Sequence, residues 1–397
     1  MDKKIVRIGL VTGEFPPMEG GVGAFTNELA KALAQGGHEV HVLTSRLARP
    51  AEQPRKISLL SQPIDLEYAS LLPTVRHWRW STNRHIVDWA IRFDLDVVNI
   101  QYQAAAYNMF LPGINFAPRR LRNVVKTAVT FHDLRHPYFF PKAGKLRRKV
   151  VHWMAQQANG VLATNPADYQ KVKELGCQKA IEIPIGSNIS VYEPNHLEIE
   201  EARTELGVPA SAVLLGYFGF LNETKGAETL LSAIARLDDN HHVVFIGGQL
   251  GASDATNNAT YLNQLRQMIK SLGIEDRVHW TGYLSENRVS TFMYATDMMV
   301  MPYRDGASLR RGTLMAALAH GRPLISTWPI GATPFLEHGE NIWFVPIDDP
   351  EAIVTAVASI KNNATIHETL AVGAAKVAQN FTWDTIAEKT AVFLGSL

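Results

Sequence analysis

The sequence predicts an α/β protein made of two doubly wound parallel-sheet domains. Three observations carry this: a length of 397 residues, short apolar runs alternating with amphipathic stretches, and glycine-rich loops directly after several of those runs. Single domains cluster near roughly 100–200 residues, so a chain this long divides most naturally into two cores. Hydrophobic residues make up 46% and charged residues 19% of the chain, which excludes the disordered and fibrous classes.

Two series of strands follow from the apolar runs. The first is expected at residues 5–12, 39–45, 97–102, 124–131, 160–164 and 180–184, with helical stretches such as 26–34 and 149–158 between them. The second is expected at 213–218, 242–247, 278–283, 298–302, 323–327 and 342–345, alternating with helices at 227–237, 261–272, 286–295 and 313–320. Strand, helix and strand in repetition is the pattern of a parallel sheet covered by helices. Residues 186–195 are polar and turn-rich, and mark the hinge. The domains expected are therefore 1–186 and 187–380, followed by a last segment at 381–397; the helical stretches 350–361, 365–379 and 382–397 have no strand to pair with, and one of the three is free to cross back.

Composition narrows the setting. The single cysteine, Cys177, excludes an intramolecular disulfide and a cysteine-built zinc cage, and points to a reducing, cytoplasmic compartment. Lysines before the first apolar run imitate a secretory signal, but Arg7 breaks the run and no small-residue cleavage site follows. No run approaches the ~18–20 apolar residues of a spanning helix. Net charge is +1, yet residues 1–185 hold 25 Lys and Arg against 15 Asp and Glu, and the remainder 14 against 23. The basic excess gathers at Arg119, Arg120, Arg122 and Lys126, and at Lys142, Lys145, Arg147, Arg148 and Lys149 beside Trp153. A cationic stretch next to a Trp-bearing helix suits peripheral contact with an anionic membrane, or is simply a solvated helix start; the sequence leaves both open.

In a doubly wound sheet, ligands sit beyond the carboxyl ends of the strands, so the loops there come first. Gly20, Gly21 and Gly23 lie between the first strand and its helix, where backbone N–H groups and the helix dipole favour an anion; the alternative is a tight turn. Thr26 and the Ser45-Arg46 pair stand where a dinucleotide fingerprint needs a small residue and a ribose-binding acid, which disfavours a dehydrogenase. His132 follows the fourth strand on the same rim and can bond a sugar hydroxyl or serve structure alone; Asp133 beside it can be a helix cap. In the second half, Gly219 through Lys225-Gly226 leaves the first strand with a lysine suited to a diphosphate. Residues 302–323 carry Asp305, Gly306, Ser308, Arg310, Arg311 and Thr313 ahead of a small-residue helix. Arginines at a helix start oppose the dipole unless an anion lies between. Asp94-x-Asp96 imitates a metal-binding motif but precedes its strand, so no essential metal is expected.

Together these residues resemble the family 4 GT-B glycosyltransferases, a retaining group. The likeness runs nearly end to end, through Gly20-Gly21-x-Gly23, Phe131-His132-Asp133, Ile183-Pro184-Ile185-Gly186, Gly219 with Lys225-Gly226, Thr281-Gly282-Tyr283-Leu284, and residues 305–323. The resemblance implies two Rossmann-like domains facing a cleft, with a nucleotide-diphosphate sugar held mostly by the carboxyl-terminal half and no further cofactor. It implies His132 near the transferred sugar, Lys225 on the diphosphate, Asp305 in place of the family's first glutamate, and Gly282-Tyr283-Leu284 at the base. It further implies an acceptor that is lipid-linked, a polysaccharide or a small molecule, with no nucleic-acid partner; the oligomeric state is left open. Two departures stand out. Phe220 occupies the place of an arginine after the family's glycine, and either Thr313 or Ala316 occupies that of its second glutamate. Arg310 or Arg311 is the expected replacement for the lost cation, with Thr313 or backbone groups on the ribose. A twin-domain sugar epimerase or phosphorylase, and a non-catalytic subunit, are the alternatives.

Overall fold

The computed structural model describes residues 5–18, 20–50, 58–107, 112–134, 144–187, 189–248 and 255–397. Its first sheet has eight strands: β1 (Arg7–Thr12), β2 (Glu39–Ser45), β3 (Ile64–Asp65), β4 (Ser70–Val75), β5 (Val97–Tyr102), β6 (Lys126–Phe131), β7 (Gly160–Ala163) and β8 (Ala180–Glu182). Their order is β3-β4-β2-β1-β5-β6-β7-β8, and β3–β4 alone is antiparallel. The helices are α1 (Gly21–Gln35), α2 (Thr82–Arg92), α3 (Ala117–Leu121), α4 (Gly144–Gln157) and α5 (Pro166–Glu174). All six residues of β5 are buried, as expected of a parallel strand covered on both faces.

The carboxyl-terminal half begins with α6 (His196–Glu205), closed by a capping box between Asn195 and Glu198. Its sheet comprises β9 (Val213–Phe218), β10 (His241–Ile246), β11 (Val278–Trp280), β12 (Met298–Met301), β13 (Leu324–Thr327) and β14 (Trp343–Val345). The helices are α7 (Ala227–Ile234), α8 (Ala255–Leu272), α9 (Glu286–Ala295), α10 (Gly312–Ala319), α11 (Pro350–Lys361) and α12 (Ala364–Ala378). The order β11-β10-β9-β12-β13-β14 is 3-2-1-4-5-6 in local numbering, the Rossmann arrangement, and every pair is parallel.

The chain forms two compact units, one of residues 1–186 with 382–397 and one of 187–381. The last helix, α13 (Trp383–Gly395), belongs to the first unit, where Ile386, Ala391 and Leu394 enter the core beside α1. Trp383 meets Phe25 of α1 edge-on at 5.2 Å. Each sheet is thus sandwiched between two apolar layers.

Two local differences from the sequence-based expectation have physical causes. The β3–β4 pair was not anticipated, because Pro73 breaks the strand pattern. It sits past the short β3 pairing and next to a register shift at Thr44/Ser45, where a missing N–H is tolerated. Helix α1 starts at Gly21 instead of residue 26, because Glu14 supplies the cap that Gly20 lacks.

Candidate functional site

In the second unit the strand order reverses between β9 and β12, so the loops leaving these two strands define the point where an α/β sheet holds its ligand. The two loops are tied together: the Arg304 N–H donates to the Thr224 carbonyl at 3.0 Å. Gly226 has φ 69°, and a Cβ there would overlap the Pro302 carbonyl oxygen, so only glycine lets Lys225 turn back toward β12.

At the end of β12 lies Tyr303, fully buried. The Arg311 guanidinium lies 4.0 Å from its ring centroid and Lys225 Nζ 5.2 Å. Two cations therefore share one aromatic ring. Asp305 pairs with Arg311. No carboxylate pairs with Lys225 among the described residues, and Arg311 Nε is buried without a hydrogen-bond partner there. Burial, followed by the neighbouring Arg311 charge, pushes the Lys225 ammonium down to about 8. The arrangement is a positive seat short of negative charge.

Arg311 is also the residue just before α10, so the helix's first N–H groups open beside the same cations. Arg310, its neighbour, is exposed, and its N–H donates to Ser308 Oγ at 3.3 Å. Of the two candidate arginines, Arg311 is the one that joins Lys225. Thr313 Oγ1 lies 3.0 Å from the Tyr303 hydroxyl. A Cβ on Gly219 would come within 2.8 Å of Thr313 Cγ2, whereas Ala316 is fully buried in the core. Thr313, not Ala316, thus faces the strand-end loop. Gly306 (φ 76°) packs under the Trp328 carbonyl.

Farther along the same rim, Phe220 is half exposed and its ring lies over Gly248. Gly247 and Gly282 form a bridge between the ends of β10 and β11. Beyond it Tyr283 projects into solvent, while Leu284 packs on the core. The cation pair lies at the end of β12, three strand spacings from β11, so Tyr283 is set off from it by roughly 14 Å along the rim.

The first unit also has its switch point, between β1 and β5. There the α1 amino end, expected to seat an anion, already holds one: the Glu14 carboxylate accepts from the Val22 and Gly23 N–H groups at 3.0 and 3.2 Å. Gly20 lies against that carboxylate, and a Cβ on it would collide. Gly21 alone has open space above it. Glu14 was missed because an acid bonding eight residues ahead within a loop leaves no periodic trace.

His132 is held edge-on to Phe25, with ring centroids 4.7 Å apart, and its Nε2 lies 3.0 Å from Gln101 Oε1. Gln101 Nε2 faces Thr130 Oγ1, so Gln101 Oε1 accepts from His132 Nε2 and leaves Nδ1 as an acceptor. Burial pushes the imidazole down to about 3, so the ring is neutral. Asp133 is buried and accepts from Gln103 Nε2 at 3.1 Å. Asp94 and Asp96 both pair with Arg7 at the opposite ends of the strands, far from these loops. Among the described residues, no group of three or more metal-ligating side chains converges.

The same two regions are covered by family comparisons. Residues 19–188 match the description Glycosyltransferase Family 4, and residues 212–363 match Glycosyl transferases group 1. The chain belongs to the family 4 glycosyltransferases. It is a transferase enzyme with the GT-B fold. Among relatives, it is 23% identical to a D-inositol 3-phosphate glycosyltransferase of Corynebacterium diphtheriae, over 97% of this chain and 93% of that one. It is 26% identical to the lipopolysaccharide core biosynthesis glycosyltransferase LpsE of Rhizobium meliloti, over 53% of this chain and 56% of the relative. Among solved folds, HepE of Anabaena in complex with UDP-glucose superposes with a TM-score of 0.73 at 20% identity, covering 99% and 100% of the two chains. Sucrose-phosphate synthase of Thermosynechococcus elongatus gives 0.72 at 19%, covering 98% of each.

Proposed function

We propose that this glycosyltransferase takes a sugar from a nucleoside diphosphate donor seated on its second unit and passes it, with retention of configuration, to a glycan or lipid-linked acceptor. The observation that carries the reading is the seat formed by Arg311 and Lys225 over Tyr303, which has more positive than negative charge and opens at the start of α10. A diphosphate supplies the missing negative charge. Farther along the same strand ends, the exposed Tyr283 and the Gly282 backbone are assigned to the base.

In this reaction the bond between the sugar's anomeric carbon and the diphosphate oxygen breaks. The electron pair goes to the diphosphate, where Lys225, Arg311 and the α10 N–H groups stabilise it. The acceptor hydroxyl forms the new bond, and its proton passes to the departing phosphate. Asp305 is assigned to the donor sugar, though its pairing with Arg311 makes it also a brake on that guanidinium. Ser308, Gly306 and Gly219 shape the seat, and Thr313 takes the ribose side where the family has an acid. His132, neutral with Nδ1 accepting, suits a donated hydrogen bond from a sugar hydroxyl. Gly20, Gly21 and Gly23 serve a phosphate only by sharing or displacing Glu14.

Titration calorimetry with UDP, ADP and GDP and their glucose conjugates tests the reading. Binding of one nucleoside diphosphate, weakened at least roughly tenfold by Arg311→Ala, is the expected result. Failure of every nucleoside diphosphate to bind would refute it. UDP-glucose is the first donor to try, and NMR of the product's anomeric proton decides between retention and inversion.

A further inference from the structure

The face of the first unit built by α2, α3 and α4 has no place in the donor chemistry, and its composition is one-sided. Residues 76–84, 112–126 and 144–157 contain eleven Lys and Arg and no Asp or Glu; Asp88, one turn farther along α2, is the acid on these three helices and lies 3.9 Å from Arg84. Lys142, part of the same run, lies outside the described residues, as do the side chains of Lys145 and Arg147. Arg79, Arg119, Arg120 and Arg148 are exposed, and none has a carboxylate partner among the described residues.

Through this basic field runs a row of aromatic rings. Trp80, just before α2, contacts Phe116, just before α3, with centroids 4.4 Å apart; Phe116 contacts Trp153 of α4 at 4.7 Å. Trp80 is 53% exposed. Leu146 lies seven residues before Trp153 on α4, hence on the same helix face, and is 55% exposed. Indole and aliphatic surface ringed by exposed arginines is the chemistry of a protein that rests at a lipid headgroup layer. The rings enter the boundary, and the guanidinium groups meet the phosphates. Stacking on nucleic acid would use the tryptophans and arginines but gain nothing from Leu146. No described helix is long and apolar enough to cross a bilayer, so the contact is peripheral.

We infer that the α2–α3–α4 face, through Trp80, Phe116, Trp153 and the arginines around them, docks on an anionic membrane surface. The inference is independent of the donor reading, and its test reads binding without turnover.

Flotation of the full chain is compared with vesicles of pure phosphatidylcholine and of phosphatidylcholine mixed with phosphatidylglycerol. The expected result is binding to the mixed vesicles only, with a blue shift in tryptophan emission. The double change Arg119→Glu and Arg120→Glu weakens this binding by roughly tenfold or more, since each basic group near a charged surface contributes separately. Trp80→Ser weakens it as well and reduces the blue shift. Both changes lie on exposed side chains, and an unchanged circular dichroism spectrum and denaturation midpoint show that the variants are folded. Equal binding to both vesicle types overturns the inference. So does binding to mixed vesicles that ignores Trp80→Ser while a single-stranded oligonucleotide binds the same face more tightly.

Discussion

Arg311 stacks its guanidinium on the ring of Tyr303, 4.0 Å from the centroid, and through that ring is brought beside Lys225. Tyr303 is thereby a positioning residue for both cations. A cation over an aromatic face gains about 0.5–2 kcal/mol, the upper end applying where water is excluded. Tyr303→Leu is expected to weaken nucleoside diphosphate binding by roughly tenfold, whereas Tyr303→Phe, which keeps the ring, stays close to the parent. Calorimetry on the two variants separates ring from hydroxyl; equal losses in both would assign the effect to the bond with Thr313.

Lys225 makes donor binding pH-dependent in the neutral-to-alkaline range. Its pKa is pushed down to about 8 in the free protein. A bound diphosphate favours the charged ammonium, so the value in the complex lies higher. Affinity is therefore full below about pH 8 and falls as pH rises from there toward the bound value. In Lys225→Arg, whose charge persists, that fall should vanish. An unchanged slope in the arginine variant would place the titration elsewhere.

His132, pushed down to about 3, is neutral throughout the pH range in which enzymes are assayed. Turnover should show no inflection from this ring between about pH 5 and 8, the window in which an unperturbed histidine titrates. His132→Ala is expected to cut turnover while leaving diphosphate affinity intact, because the histidine and the cation pair sit in separate units. Parallel loss of both would contradict that division of labour.

Gly226 is required by backbone geometry and not by ligand. In Gly226→Ala the left-handed φ of 69° costs about 1–3 kcal/mol before the overlap with Pro302 is counted. A lowered denaturation midpoint, larger than that of Gly21→Ala, is the expected outcome. A methyl group added at Gly21 would meet nothing within 4 Å, and that replacement should leave stability nearly unchanged.

Much of this organisation was legible in the order of apolar runs and of the loops that follow them. In a parallel sheet every strand's carboxyl end faces one rim, so placing the strands also places Gly20 and His132 at the rim of the first sheet and Gly219, Lys225 and Asp305 at the rim of the second. Contacts that depend on the third dimension were not legible. Tyr303 reads as an ordinary aromatic after a strand, and nothing in one dimension tells that two cations share its ring. The choice between Thr313 and Ala316 was open because counting from Asp305 leads to the first and counting back from Gly321-x-Pro323 to the second; in the structure Ala316 is buried and Thr313 lies against Gly219. Glu14 escaped notice for a similar reason, since its partners lie across a loop with no repeat.

The position of α13 has a bearing on biosynthesis. Because Ile386, Ala391 and Leu394 cover the same side of the first sheet as α1, that side stays partly bare on the ribosome until everything from Ser187 to Phe381 has been translated. The half that is made first is thus finished last. A fusion partner or truncation at the carboxyl terminus would disturb the opening half of the polypeptide, not the half to which it is joined in sequence.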